Sequence, residues 1–317
     1  KNTLDLLKKS SDLYEVVALT ANTNVELIAK QARDHKAQFV AIADEKQYPA
    51  LKKALSGSKV EIGAGETGLI EAAVKTSDFV MSSIVGVAGL TPTLEAIKCG
   101  KSIGLANKEC LVSAGDIFLK EVKLNKTTLI PVDSEHSAIF QIFDYNQVKK
   151  IRRIILTASG GPFRSFTKNE MKSVTRDQAT AHPNWSMGQK ISIDSATMMN
   201  KGLELIEAYY LFPVKENQIE ILIHPESIIH SLVDYVDGSV LAQMGVPDMK
   251  TPISYALAWP ERIETNVPKL ALEDIGKLTF EPPDISKFPA LQLSRETLKK
   301  GGSGPTILNA ANEIAVN

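Results

Sequence analysis

"TLIPVDSEHSAIF", residues 128–140, runs from a strand-forming stretch straight into a cluster of charge. Thr128, Leu129 and Ile130 lead through Pro131 and Val132 to Asp133, Ser134, Glu135 and His136. Successive strand residues point to opposite faces, so a strand continuing through this stretch would project Asp133 and Glu135 the same way. Two like charges side by side repel, and a cation between them would relieve that. A D-x-E pair at a strand end also suits a turn or a solvated edge. A third ligand from a distant segment is needed before the pair makes a metal site.

Upstream, this stretch is the last of a series. "YEVVALTA" (14–21), "QFVAIAD" (38–44), "KVEIGAG" (59–65), "DFVMSSIVG" (78–86), "KSIGLAN" (101–107) and "TTLIPVD" (127–133) read as strands. Helical patterns such as Val25–His35 and Pro92–Cys99 fall between them. This alternation implies right-handed βαβ units, a parallel sheet and a Rossmann-like α/β domain. Ligands of such sheets bind beyond the carboxyl ends of the strands. The polar residues there are Asn22, Asn24, Ser82, Ser83, Asn107 to Glu109 and Asp133 to Glu135. The Gly-rich dinucleotide turn belongs between the first strand and the first helix. "KNTLDLLKKSSD" opens inside a helical pattern, so that turn is expected ahead of Lys1. "GPTILNAANEIAVN" closes inside another helical pattern, and the chain is expected to be an internal fragment of a longer protein.

Downstream the grammar changes. "IRRIILTASGGPFRSF" is a strand entering a Gly-Gly-Pro loop, and "IEILIHPESIIHSLVDYVDGSVLAQMG" holds short apolar runs with a hairpin turn at Asp237-Gly238. Mixed strand and helix predict an α+β domain on a mostly antiparallel sheet. Residues 263–290 carry Pro268, Pro282, Pro283 and Pro289 with little periodicity and read as a linker. The expected organisation is a dinucleotide-binding domain over 1–136, a catalytic and dimerisation domain over 137–262, the linker, and the start of a C-terminal helical domain over 291–317.

Composition narrows the function classes. Apolar residues make up 44% of the 317 and charged residues 23%, the balance of a globular protein. A net charge of −1 leaves no electrostatic footprint for nucleic acid or an anionic membrane. No apolar run approaches the roughly 20 residues that span a bilayer. Two cysteines, Cys99 and Cys110, fit a reducing compartment rather than a disulfide scaffold. Cytoplasm is the expected location, or a plastid stroma reached with a transit peptide since removed.

"SIDSATMMNKGLELIEA" (192–208) is the second informative stretch. Asp194 or Ser195 suits a helix N-cap. On the helix that follows, Glu204 shares a face with Asn200 and Lys201. A solvated Lys–Glu pair would show the same spacing, but the methionines and small residues before the trio suit burial. Glu204 added to Asp133 and Glu135 makes a hard, all-oxygen set that selects Mg²⁺ or Mn²⁺ over zinc. His136 could extend it, or simply pack beside the helix start. Ser159 in its Gly-rich loop, with Ser195, Asn200 and Lys201, offers hydroxyl, amide and ammonium donors for phosphate. "AHPNWSMG" (181–188) places His182, Trp185 and Met187 in a polar loop that could close over a ligand or form a small hydrophobic cluster.

The segments "LANKECLVSAG", "IPVDSEHSAIFQ", "LTASGGPFR", "HPNWSMGQKISIDSATMMNKGLELIEA", "ILIHPESIIHSLV", "DGSVLAQMGVPDM" and "LNAANEIAV" occur in that order along the chain. Together they resemble the motif series of the 1-deoxy-D-xylulose 5-phosphate reductoisomerase family, from residue 1 to residue 317. The resemblance implies rearrangement of 1-deoxy-D-xylulose 5-phosphate and reduction by NADPH to 2-C-methyl-D-erythritol 4-phosphate, in non-mevalonate isoprenoid synthesis. It implies Mg²⁺, Mn²⁺ or Co²⁺, a homodimer and inhibition by fosmidomycin. By the same resemblance Asp133, Glu135 and Glu204 match the metal carboxylates, and Ser159, Ser195, Asn200 and Lys201 the phosphate site. Lys108, Ser134 and His182 match further substrate contacts, with Lys108, Glu135 and His182 expected at the reacting atoms. Asn107, Glu109 and Gly188 match cofactor contacts, joined by Asn22 and Asn24 at the first strand end, and Trp185 with Met187 lies on the family's flap.

At "TANTN" (20–24) the family commonly has a glycine and a basic residue where this chain has Asn22 and Thr23. A basic side chain there would favour the 2′-phosphate of NADPH over NADH. Two rival readings follow from the residues alone. One is another nicotinamide-dependent reductase on the same scaffold, of the homoserine or aspartate-semialdehyde dehydrogenase type, which would not need the three carboxylates to converge. The other is a non-catalytic fragment that binds metal or phosphate.

Overall fold

Residues 1–8, 10–181 and 188–316 are described by the computed structural model. Packing divides them into two units, Lys1–Asn107 with Phe118–Ile130 and Ile253–Thr265, and Lys108–Ile117 with Pro131–Pro252 and Asn266–Asn317.

The first unit opens with helix α1 (Asn2–Leu7) and then alternates as the sequence implies: β1 (Ala18–Ala21), α2 (Val25–Asp34), β2 (Phe39–Ile42), α3 (Tyr48–Ala54), β3 (Glu61–Ala64), α4 (Gly65–Val74). It continues through β4 (Phe79–Ser82), α5 (Leu90–Lys98), β5 (Ser102–Leu105), the part of α6 (Lys108–Leu124) from Phe118 on, and β6 (Leu129–Pro131) as far as Ile130, while Lys108–Ile117 of α6 belongs to the second unit. All six expected strands form. Their hydrogen bonds make two three-stranded ladders, β1-β2-β3 and β4-β5-β6. The ladder registers β1–β2, β2–β3 and β4–β5 are parallel. Strand β2 is buried along its whole length, as a strand covered on both faces must be.

The chain reads as lacking a G-x-G-x-x-G, and that reading is wrong. Gly63-Ala64-Gly65-Glu66-Thr67-Gly68 spells G-x-G-x-x-G, follows β3 and opens α4. Its glycines serve packing. A Cβ on Gly63 would stand 2.7 Å from the Phe39 ring and 2.9 Å from the Gly68 backbone, so helix and strand meet too closely for side chains. The Glu45 carboxylate fills the space over Gly65, and Glu66 adds another negative charge in the first turn. Such surroundings repel a pyrophosphate.

The second unit holds α7 (Ser134–Ile142), β7 (Ile151–Ala158), α8 (Arg176–Thr180), α9 (Gln189–Ala196) and α10 (Met199–Leu211). Strands β8 (Ile219–Ile223), β9 (Ile229–Tyr235) and β10 (Val240–Met244) follow, then α11 (Lys250–Ala258), which passes into the first unit at Ile253, and α12 (Leu272–Ile275), α13 (Ala290–Lys300) and α14 (Gly304–Val316). The sheet runs β10-β9-β7-β8, antiparallel except for β7–β8. Gly238, at φ +90°, makes the expected hairpin between β9 and β10. Residues Lys201 to Ala208 of α10 are all buried, so this helix is a central element rather than a surface one. Ile154, Leu156 and Val233 of the sheet, Ile139 of α7 and Leu205 of α10 share one core.

Three expectations change. Strand β6 stops at Pro131, so Asp133 and Glu135 do not share a strand face. Asp133 is the N-cap of α7, accepting from the backbone N–H of Glu135 and His136, and Glu135 lies in the first turn. A carboxylate there satisfies the helix's orphan donors, which ends the strand sooner than apolar patterning suggests. Asp194 and Ser195 lie inside α9 rather than capping α10, whose N-cap is Met198 at φ +61°. The linker over 263–290 contains α12 and a bridge between Glu281 and Ile223, and α13 packs on α10, with Ser294 against Gly202. The C-terminal helices thus share the second unit instead of standing apart.

Candidate metal and phosphate site

Two helix starts build the site. Asp133 and Glu135 come from the first turn of α7, Lys108 from the first residue of α6, and Asn200, Lys201 and Glu204 from one face of α10. Oxygens of Asp133, Glu135 and Glu204 all lie within 4.8 Å of one another. Lys108 Nζ stands 3.2 Å from Asp133, 3.4 Å from Glu204 and 2.7 Å from the Asn200 amide oxygen. Lys201 Nζ stands 3.0 Å from Glu135 and donates to Glu204 as well. Ser134 Oγ donates to Glu135 at 2.6 Å.

Against the cost of burial, Lys108 and His136 hold the Asp133 carboxyl well below the usual carboxylate range. Glu204 goes the other way: burial and then the charges of Asp133 and Glu135 push it up, more than Lys201 and Lys108 pull it down. Burial also opposes the charge on both lysines, but Asp133 and Glu204 raise Lys108, and Glu135 and Glu204 raise Lys201. His136, fully buried, is pushed up to about 9 because the carboxylates of Glu207 and Asp133 outweigh its desolvation. The four carboxylates of Asp133, Glu135, Glu204 and Glu207 therefore face two ammonium groups and one imidazole. An all-oxygen donor set in that state fits a hard divalent cation.

Of the phosphate candidates, Ser159 and Ser195 come close to each other through Gly161. Gly161 N donates to Ser159 Oγ at 3.2 Å, and a Cβ on Gly161 would lie 2.7 Å from the Ser195 carbonyl oxygen. With φ +67°, Gly161 is held to glycine twice over, and this lets the loop after β7 close against the end of α9.

Three of the five cofactor candidates, Asn22, Asn24 and Asn107, follow strands. Asn22 and Asn24 are exposed after β1, and Asn24 caps α2 through Leu27 N–H at 3.0 Å. Asn107 follows β5, and its amide donates to the carbonyls of Ile84 and Gly86. Glu109 is buried in the first turn of α6, 3.8 Å from Lys190, and Gly188 is the N-cap of α9. His182, Trp185 and Met187 lie outside the described residues. His224 follows β8 and His230 lies in β9, and His224 Nε2 accepts from Ile228 and Ile229 N–H, so that histidine ties down the β8–β9 connection.

Sequence reading missed Glu207. It sits one turn after Glu204 in "GLELIEA", 1% exposed, with its carboxylate 3.0 Å from His136 Nδ1. A second acid at i+3 within an otherwise apolar run was the available signal.

Family models for 1-deoxy-D-xylulose 5-phosphate reductoisomerase match residues 1–115, and those for its C-terminal domains match 129–212 and 244–317. The chain is 55% identical over 315 residues to the enzyme of that name from Zymomonas mobilis, covering 99% of this chain and 81% of the relative. For the one from Rhodospirillum centenum the identity is 53%, covering 99% and 78%. The Zymomonas mobilis enzyme solved with NADPH superposes with a TM-score of 0.94 at 53% identity, covering 99% of this chain and 81% of that one. A DOX-P reductoisomerase solved with NADPH, fosmidomycin and magnesium gives 0.96 at 45% identity, covering 99% and 80%.

Proposed function

The chain belongs to the 1-deoxy-D-xylulose 5-phosphate reductoisomerase family, and from that premise we propose which of its residues carry the reaction. It is an NADPH-dependent enzyme of isoprenoid biosynthesis that uses a divalent cation, which sets aside the reading as another reductase on the same scaffold. Asp133, Glu135 and Glu204 hold the cation. The observation that carries this assignment is the meeting of their oxygens, within 4.8 Å of one another. When bound, the cation polarises substrate oxygens as a Lewis acid and NADPH supplies a hydride.

Lys108 and Lys201 are already charged and already ordered by the carboxylates, so they can orient anionic or hydroxyl groups of the substrate with little reorganisation. Ser159, Ser195, Asn200 and Lys201 take the phosphate, a group remote from the reacting carbons whose binding can be spent on closing and drying the site. Ser134 and His182 complete the substrate contacts. Asn22, Asn24 and Asn107, at strand ends of the first unit, contact the dinucleotide, and the family resemblance assigns Glu109 and Gly188 to the same cofactor.

The test is NADPH absorbance decay with 1-deoxy-D-xylulose 5-phosphate. Turnover is expected to vanish on chelation, to return with Mn²⁺, and to fall by about 10²–10³-fold in Glu204→Gln, the range for losing one group that stabilises developing charge. Turnover unaffected by chelation would overturn the metal assignment.

A homodimer is part of the same reading. The outer strand β10 leaves Val240 and Leu241 about half exposed, and Val236 in the preceding turn more so. A cavity of about 720 Å³ lined by Ile142, Phe143, Tyr235 and Leu241 opens beside them. An apolar edge strand invites pairing with a second copy. Leu241→Lys is expected to shift the mass measured by light scattering from dimer to monomer; an unchanged mass would place the interface elsewhere. Among the described residues no helix is long and apolar enough to cross a membrane. A content of two cysteines in 317 residues supports a reducing compartment such as the cytoplasm.

A further inference from the structure

Behind the three proposed metal ligands lies a second layer of charge. His136 is fully buried and its ring contacts are specific. Nε2 is 2.9 Å from the backbone carbonyl of Glu204, which can only accept, so Nε2 carries the proton of that bond. This fixes the ring and leaves Nδ1 within ion-pair distance of two carboxylates, 3.4 Å from Asp133 Oδ1 and 3.0 Å from Glu207 Oε2, as charge contacts rather than aligned hydrogen bonds. Asp133 divides its oxygens accordingly. Oδ1 faces His136 and the N–H groups of Glu135 and His136, while Oδ2 faces Lys108 and the cluster. Phe212 closes the far side, its ring centroid 6.4 Å from that of His136. Glu207 touches none of Lys108, Lys201 or Glu135 within ion-pair distance among the described residues; the salt bridge it makes is to His136.

We propose that Glu207 is a positioning residue for the metal carboxylate Asp133, acting through His136. Glu207 anchors the imidazole from behind, the imidazole holds Oδ1, and Oδ2 is left turned toward the cation. The inference rests on the reading of Asp133 as a ligand and deepens it. Partners of this kind behind a ligand are generally worth 10–100-fold in metal affinity. Glu207, His136 and Asp133 would also serve as three ligands of their own, and the stoichiometry of binding separates the two roles.

The probe is Mn²⁺ alone, its free concentration read by electron paramagnetic resonance, in wild type, Asp133→Asn, Glu207→Gln and the double variant. Glu207→Gln preserves shape and removes charge. It is expected to raise the Mn²⁺ Kd by about 10-fold at unchanged stoichiometry, and to add nothing once Asp133 is already Asn, since residues acting through one partner are not additive. A merely structural role would weaken binding equally in both backgrounds and would overturn the proposal. So would an unchanged Kd in Glu207→Gln beside a weakened Asp133→Asn, or the loss of one Mn²⁺ equivalent in Glu207→Gln. An unchanged Kd in Asp133→Asn would overturn the ligand assignment itself and this inference with it. Should Glu207→Gln fail to fold, Glu207→Asp, which keeps the charge and shortens the reach, carries the same comparison with the same expected signs.

Discussion

Asn24 and Asp133 hold the same local post. Each follows a strand of the βα series and caps the next helix, Asn24 for α2 after β1 and Asp133 for α7 after β6. Beyond that they differ. Asn24 is exposed and its cap bond runs to Leu27 N–H. Asp133 is mostly buried, and besides capping it reaches Lys108 and His136. The comparison teaches that a cap is a local property, while a ligand requires neighbours that only the folded chain brings. Charge burial is what changes the stakes. A solvated cap can lose its side chain at small cost, whereas each charge in the buried cluster is tolerable only because the others are present.

That difference can be broken first at Lys201. Lys201→Met leaves Glu135 and Glu204 facing each other without their shared ammonium, and chelator-treated protein is expected to lose about 3–5 kcal/mol of stability. Urea unfolding with and without Mn²⁺ measures it. Partial recovery with the metal would show that cation and ammonium compensate the same charge, and no loss at all would mean the carboxylates are already neutral.

The next effect is a pH dependence. His136 has its folded pKa raised from 6.5 to about 9, so its contribution is fully present below about pH 6.5 and is lost as pH rises toward 9. In metal-free protein the unfolding free energy is expected to fall by at most about 3 kcal/mol across that window. A flat profile would mean that the imidazole is not held charged between Asp133 and Glu207.

The smallest effect belongs to the exposed cap. Asn24→Ala is expected to cost about 1 kcal/mol, read as a shift in the urea midpoint, with no dependence on Mn²⁺. A metal-dependent loss there would erase the distinction between the two caps.

How much of this could be read in advance follows the same line. The βα alternation was legible because strands such as β2 and helices such as α2 announce themselves by local pattern and caps. The α10 trio Asn200, Lys201 and Glu204 was legible because helical spacing places them on one face. The ladder split, the early end of β6 at Pro131 and the left-handed cap at Met198 were not, because each depends on packing or on a backbone choice made between competing local options. The G-x-G-x-x-G at residues 63–68 shows the opposite failure: the motif is visible, but only Phe39 and Glu45 beside it tell that it packs a helix rather than cradling a phosphate.

By itself the sequence determined the periodicities, the caps and the residue types able to hold a hard cation and a phosphate, because these depend on neighbours a few positions apart. Tertiary structure alone decided that Lys108, some 90 positions from Asn200, lies within hydrogen-bond reach of it. It also decided that His136 sits between Asp133 and Glu207. Electrostatic coupling depends on distance and burial, and both are settled only when α6, α7 and α10 pack together.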